Sequence, residues 1–192
     1  MDQAILDWLL EEETPEVRLR TMKEYMKLPD DDEKVIECKK QLLQGKTYER
    51  ALKKLRKDKP WDKFDAIMAF AEWGLTRKDI GEDMDDEVFA LIKSTGFKML
   101  CGEPYLLRNL VKLGYYQEDI VKNEIACVLS GIKEDGGFGC ISTNKKTNDP
   151  RKPHKSCARL TVEYLLLVAE LHLLGYRAEC ESKLVQYFTK RN

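Results

Sequence analysis

The sequence lacks three features: an excess of charge of one sign, a long hydrophobic run and a signal-like N-terminus. Its 192 residues include 33 Lys and Arg and 34 Asp and Glu, which gives a formal net charge of −1. Because phosphate binding needs an uncompensated basic surface, this balance argues against nucleic-acid binding. Apolar runs such as residues 164–169 are far shorter than the roughly 18 residues that span a bilayer, so we expect no membrane span. Asp2 stands where a secretory signal carries positive charge, which predicts a cytoplasmic protein with reduced cysteines.

What the sequence does have is helical periodicity from end to end. Apolar residues recur at spacings of three and four, and no stretch alternates with a period of two for long enough to predict a strand. About ten short helices with short loops predict an all-α fold in a layered or solenoid arrangement. We expect the first helix to bury Ile5 and Trp8, and the next helix to bury Leu19, Met22 and Met26.

Two segments of the chain look like variants of one repeating unit. Residues 52–75 and 127–171 each contain an amphipathic helix, a turn that holds an aromatic residue, and an almost wholly apolar helix. Residues 100–115 between them carry a further apolar helix. Alternation of half-buried and fully buried helices is typical of a two-layer repeat array.

Five short segments carry a resemblance to a known fold family. They are Trp8-Leu9-Leu10-Glu11, Pro15-Glu16-Val17-Arg18, Leu100-Cys101-Gly102, residues 135–140 and His154-Lys155-Ser156-Cys157. On these segments the chain resembles the α/α-toroid superfamily of squalene cyclases and protein prenyltransferases. It is most similar to small bacterial prenyltransferase-like or squalene-cyclase-like proteins of undefined function.

The resemblance implies a single α/α-toroid-like domain over residues 1–192, with an incomplete or open ring. Residues of about 1–57 would form HEAT-like N-terminal helices, and residues of about 58–192 would form toroid-type helical hairpins. The turn at residues 135–139 looks like the Q-W-type repeat motif of that superfamily.

Asp83-Met84-Asp85-Asp86 matches the D-x-D-D pattern of class II terpene cyclases, in which an aspartic acid protonates an alkene or epoxide. Such an acid must be buried and kept protonated by its neighbours. The motif directly precedes an apolar helix, where acidic residues stabilise a helix N-terminus. We therefore predict that Asp83, Asp85 and Asp86 are solvent-exposed caps, with catalysis as the alternative.

Four residues are of the types that zinc binds in tetrahedral sites: Cys101, Cys140, His154 and Cys157. In the prenyltransferases that the chain resembles, zinc activates a substrate thiol. The chain has no C-x-x-C motif, and cysteine also serves as a small core hydrophobe. We therefore predict no cofactor, with zinc at these four residues as the alternative, and core positions for Cys127 and Cys180.

Charged residues form stripes on the apolar helices, and six of them are candidate ligand-binding residues: Asp65, Glu72, Arg108, Lys112, Arg159 and Glu163. Charges on otherwise buried helices must pair with each other or face water. In the toroid that the chain resembles, inner helices line a cavity, so these residues would bind a ligand in the groove between them. The alternative is a set of internal ion pairs, of which Arg159–Glu163 is an example.

The glycine-rich turn and the loop after it predict two further features. Gly136 and Gly137 should be structural, because a positive φ at the turn would exclude a side chain. Residues 143–153 are polar and cationic, which predicts a lid or rim that favours an anionic ligand or an acidic partner segment. The alternative is a solvated loop. Ser156 should then cap the most apolar helix.

Three functional hypotheses follow, each with its own structural requirement. The first is a protein without a demonstrable active site that binds an unknown small molecule between inner helices, which needs a deep pocket with convergent polar groups. The second is a helical-repeat scaffold for a protein partner, which needs an exposed apolar patch. The third is an enzyme that acts on an isoprenoid, which needs a buried Asp85 or Asp86, or a bound metal.

Overall fold

A computed structural model describes residues 2–94, 101–139 and 156–190 of the chain. Within these ranges every regular element is a helix, and no strand is present. The prediction of an all-α fold is confirmed. None of the helices in the described ranges has the length and apolar character needed to cross a membrane.

The chain divides into two compact units, Met1–Leu91 and Ile92–Asn192. The predicted single domain, with a change of helix type near residue 57, stays a prediction. Closure of the helices into a toroid also stays a prediction.

The first unit consists of short helices that pack in consecutive pairs. They are α1 (Gln3–Leu9), α2 (Pro15–Arg20), a π-helix (Thr21–Tyr25), α3 (Glu33–Gln44), α4 (Lys46–Leu55), α5 (Pro60–Glu72), α6 (Arg77–Ile80), a 3₁₀ turn (Glu82–Met84) and α7 (Asp85–Lys93). The boundary between the two units falls within α7. Helix α2 packs on α3, and α4 packs on α5. Their apolar faces bury Leu19, Leu42, Leu55, Ile67 and Phe70 completely, and this burial is the main source of stability.

Two sequence-based predictions for the first unit are wrong. Helix α1 buries none of its residues, and Ile5 and Trp8 are 49% and 63% exposed, because no described helix covers their face. Met26 is exposed although Met22 is buried, and it caps the C-terminal end of the π-helix. Residues 75–81 include the short helix α6, which has a capping box between Thr76 and Asp79.

The second unit is built around two helices that run in the same direction. Its elements are α8 (Gly102–Leu113), a 3₁₀ turn (Tyr115–Gln117), α9 (Asp119–Ser130), α10 (Ala158–Leu173) and α11 (Glu181–Thr189). Arg108 and Glu170, which both lie toward the ends of their helices, form a salt bridge between α8 and α10. Glu103 and Tyr164, one or two turns earlier, also lie close enough to interact electrostatically. Helices α8 and α10 are therefore parallel, with α9 as the return helix that packs on α8.

The glycine-rich turn at residues 135–139 packs on the start of α10. The amide of Phe138 donates to Thr161 Oγ1 at 3.0 Å, and the Phe138 ring stacks on Tyr164 with ring centroids 3.7 Å apart. The amide of Cys157 donates to the Phe138 carbonyl at 2.8 Å. Ser156 does not cap α10 as predicted, because its hydroxyl donates to Asp135 Oδ1 at 2.6 Å.

Candidate functional site

The D-x-D-D motif lies at the start of α7, and its acids differ in exposure. Asp86 is exposed, as predicted, whereas the side chain of Asp85 is only 16% exposed. Both oxygens of Asp85 accept hydrogen bonds from the Arg77 guanidinium, with Nε 3.1 Å from Oδ1. Asp85 is therefore less exposed than predicted, because α6 places Arg77 beside it. This salt bridge occupies the carboxylate oxygens that an alkene-protonating acid would need, and the Asp83 side chain lies outside the described part of the structure.

The predicted charged stripe of the first unit is formed by ion pairs between helices. Asp65 Oδ2 on α5 is 3.0 Å from Lys54 Nζ on α4. Glu72 Oε2, also on α5, is 2.6 Å from Arg20 Nη1 on α2. Asp65 and Glu72 therefore form internal ion pairs, which was the alternative to ligand binding.

The predicted charged stripe of the second unit forms salt bridges at one end only. Arg108 and Lys112 share Glu170, with Oε1 3.2 Å from Arg108 Nε and 3.8 Å from Lys112 Nζ. Arg159 is exposed and forms no salt bridge with Glu163, so the predicted pair between these two described residues is absent. Glu163 Oε2 is buried, and no hydrogen-bond donor reaches it within the described ranges.

The candidate zinc residues are described only in part. Cys101 and Cys157 are half-buried in the second unit, whereas Cys140 and His154 lie outside the described residues. Among the residues that the structure describes, no three His, Cys, Asp or Glu side chains form a group that could hold a metal ion. Zinc at these four residues therefore stays an untested alternative.

The lid predicted over residues 143–153 also lies outside the described residues, so it stays a prediction too. Of the two predicted core cysteines, Cys180 is buried, which raises the pKa of its thiol. Cys127 is exposed, because it lies on the side of α9 that faces away from α8, so its predicted core position is wrong.

The first unit has an open, mainly apolar groove of about 440 Å³ beside α2. We call it the α2 groove. Its apolar lining comes from the end of α1, from α2 with the π-helix, and from the end of α5: Leu9, Val17, Tyr25 and Trp73. Its ionisable lining is Glu16, Arg20, Glu24 and Glu72. Val17 and Tyr25 are 38% and 53% exposed, so bulky apolar side chains stand open to solvent in the groove.

One wall of the α2 groove is the π-helix. The amide of Met26 donates to the Thr21 carbonyl at 3.0 Å, five residues earlier, and the Thr21 hydroxyl donates to the Val17 carbonyl at 2.9 Å. A hydroxyl that bonds back to the preceding turn bends a helix. π-Helical turns are rare and frequently occur at functional sites. This irregularity sets the positions of Glu24 and Tyr25 in the groove wall.

The charge of the α2 groove is negative. The Arg20 guanidinium donates to Glu24 Oε2 at 3.0 Å and to Glu72 Oε2 at 2.6 Å. The hydrogen bond to Glu24 outweighs partial burial and raises the pKa of Arg20 above its ordinary value. No salt bridge reaches Glu16 within the described part of the chain. Three carboxylates thus face one guanidinium, so the groove has an uncompensated negative charge.

Sequence analysis missed the α2 groove, although it singled out Glu72. The available signal was the acidic run before α2, because residues 2–16 contain six Asp and Glu and no Lys or Arg. No local signal in the sequence indicated that Val17 and Tyr25 are exposed.

Comparisons of the chain with protein-family models, with curated proteins and with solved structures give no match. Function is therefore inferred from the geometry of this chain.

Proposed function

We propose that the chain is a helical-repeat protein whose first unit binds a protein partner in the α2 groove. The observation that carries the proposal is the exposure of Val17 and Tyr25 within an open concave surface. Contiguous exposed apolar surface with a polar rim is typical of interaction sites, because its burial against a partner is favourable. Helical repeats commonly present such surfaces to other proteins.

The polar groups of the α2 groove favour binding over catalysis. Arg20 is held between Glu24 and Glu72, and the Thr21 hydroxyl already donates to a backbone carbonyl. The described lining contains no Cys, His or Lys that would act as a nucleophile. What remains is an apolar surface with fixed charges, which is the composition of a docking site.

Selection from a random peptide library against the full chain tests this proposal. We expect the enriched peptides to lose at least about tenfold in affinity for a Val17→Ser, Tyr25→Ser double variant, because hot-spot truncations cost more than about 1 kcal/mol. The control is a Leu166→Ser, Val185→Ser double variant, which truncates two exposed apolar residues of the second unit. The proposal would be contradicted if the selected peptides lost the same affinity for both double variants, or if the selection gave no binding peptide.

A second candidate is a small amine that binds between α8 and α10, in line with the predicted ligand groove. Glu163 Oε2 on α10 is buried without a hydrogen-bond donor within the described ranges, and a protonated amine would supply such a donor. Buried polar atoms of this kind cost free energy unless a partner satisfies them. We expect putrescine to raise the melting midpoint of the natural chain and not that of Glu163→Gln. The matched control is Glu179→Gln. An equal shift of the melting midpoint in the natural chain and in Glu163→Gln, or no shift in either, would contradict this candidate.

A further inference from the structure

We infer that the partner of the α2 groove is a cationic amphipathic helix that places an apolar side chain in the groove and Lys or Arg against its acidic surroundings. This inference rests on the proposed function and names the chemistry of the partner. Two features of the first unit carry it: the charge around the groove and the kind of backbone that borders it.

The acidic surroundings begin on α1 and continue into α2. Residues 2–16 contain six carboxylates and no Lys or Arg, which gives them a formal charge of −6 in a chain whose total is −1. Glu11 and Glu13 are exposed, and Glu16 lines the groove. The first cation along the chain, Arg18, is 3.8 Å from Glu12, which leaves most of this negative charge uncompensated nearby.

The charge inside the α2 groove has the same sign. Arg20 is the one basic residue of its described lining, and it already bonds to both Glu24 and Glu72. A partner carboxylate would therefore meet like charges, whereas a partner cation could bond to Glu16. Complementary charge sets which partner binds and speeds association more than it adds affinity.

The apolar lining sets the other half of the partner's chemistry. Val17 and Tyr25 are exposed in the groove, and α1 leaves Ile5 and Trp8 exposed immediately before it in the chain. A helix with apolar residues at i, i+3, i+4 and i+7 fits a surface of this kind. The described part of the first unit has no sheet edge, so a partner strand would have no backbone groups with which to pair.

Three synthetic peptides of about four helical turns each test the inference. The first carries Leu on one face and Lys on the other, the second replaces Lys with Glu, and the third replaces Leu with Ser. We expect the Leu/Lys peptide to bind the full chain at least about tenfold more tightly than either other peptide, by fluorescence anisotropy. We also expect its affinity to fall by about tenfold or more when NaCl rises from about 0.05 M to about 0.5 M, because exposed charges are screened.

Two triple variants with the same change of charge separate docking from general attraction. Glu11→Gln, Glu13→Gln, Glu16→Gln removes one carboxylate of the groove lining and two exposed carboxylates of the segment that leads into it. Glu37→Gln, Glu134→Gln, Glu179→Gln removes three exposed carboxylates elsewhere. We expect the first triple to weaken the Leu/Lys peptide by about tenfold and the second by less than about twofold. Circular dichroism establishes that both variants fold.

Equal weakening by the two triple variants, or equal binding of the Leu/Glu peptide, overturns the inference. The library selection then distinguishes a failure of this inference from a failure of the proposed function. Selected peptides that need Val17 and Tyr25 but carry no excess of Lys or Arg overturn the cationic partner and leave the proposed function standing. The absence of any peptide that needs these two residues overturns both.

Discussion

The Arg77 guanidinium binds both carboxylate oxygens of Asp85 across the turn that joins α6 to α7. The salt bridge is only partly exposed, with 25% of the Arg77 side chain and 16% of the Asp85 side chain accessible to solvent. Helix α6 is one turn long and ends at Gly81, whose φ of +90° reverses the chain toward α7. The bridge therefore holds together a segment that has little regular backbone bonding, which gives Asp85 a structural role.

We expect Asp85→Asn to lower the free energy of unfolding by about 1–2 kcal/mol, because a half-buried guanidinium loses its charged partner. Urea unfolding at neutral pH measures the change. Asp86→Asn is the matched control, since Asp86 is exposed one residue later, and we expect it to change stability by less than about 0.5 kcal/mol. A double-mutant cycle of Arg77→Gln and Asp85→Asn without coupling would contradict the structural role.

The sequence predicts the helices because each has a regular apolar period and clear ends. Leu19 and Met22 are buried as expected, and Asp32 caps α3 by accepting the amide of Lys34. Met26 is mispredicted because apolar periodicity alone does not reveal that residues 21–25 form a π-helix or that this helix ends at Met26.

Candidate site residues are harder to predict, because their partners come from distant parts of the chain. The pair of Arg20 with Glu72 joins residues 52 positions apart, and that of Arg108 with Glu170 joins residues 62 apart. Spacing along one helix shows that charges share a face, but not which other helix faces them. The sequence could therefore offer ion pairs and ligand contacts only as alternatives.

The two central glycines of the turn at residues 135–139 are required for different reasons, and the predicted positive φ holds for one of them. Gly136 has a φ of +82°, and a Cβ there would overlap the Lys183 carbonyl. Gly137 has no positive φ, but a Cβ there would overlap Ser156 and lie 2.6 Å from Tyr187 Cε2. Both positions exclude a side chain, although only Gly136 needs the conformational freedom of glycine.

We expect Gly137→Ala and Gly136→Ala each to lower the free energy of unfolding by more than about 2 kcal/mol, because packed neighbours must move. Gly114→Ala is the control for conformation alone, since Gly114 has a φ of +92° and its Cβ would meet nothing within 4 Å. We expect that control to cost about 1 kcal/mol. Equal losses at Gly114 and Gly136 would show that crowding at the turn is unimportant.

Asp135 should make the stability of the second unit depend on acid pH. Burial alone would raise the pKa of Asp135, but hydrogen bonds from the Ser156 hydroxyl and the Gly137 amide outweigh it and lower the pKa below its ordinary value. A carboxyl with a lowered folded-state pKa stabilises the fold above its unfolded pKa of about 3.9, and this contribution is lost as pH falls through the folded-state pKa.

We therefore expect Asp135→Asn to lower the melting midpoint at neutral pH, and the difference from the natural chain to shrink as pH falls below about 4. Asparagine Oδ1 can still accept from the Ser156 hydroxyl and the Gly137 amide, so the variant removes the charge and keeps these two hydrogen bonds. Asp119→Asn is the control, because the Asp119 side chain is 94% exposed. A difference that stays constant from neutral to acid pH would refute the role of the Asp135 charge.

The cysteines should differ in their reaction with iodoacetamide. Burial raises the pKa of the Cys38 and Cys180 thiols, and Cys38 Sγ donates to the Pro15 carbonyl at 3.3 Å. Cys127 is exposed on α9. Because the thiolate is the reactive form and must be reached by the reagent, we expect Cys127 to be alkylated before Cys38 and Cys180 in the folded chain.

Mass spectrometry of the cysteine peptides after timed alkylation at about pH 8 measures this order. We expect Cys38 and Cys180 to react at comparable rates only in urea, since they are buried in the folded chain. The variant Cys127→Ser should remove the fast modification at that peptide and leave the melting midpoint within about 2 °C, because an exposed position contributes little to packing. Rapid alkylation of Cys38 in the folded chain would mean that the packing of α2 on α3 is open, and it would contradict the burial on which the wall of the α2 groove depends.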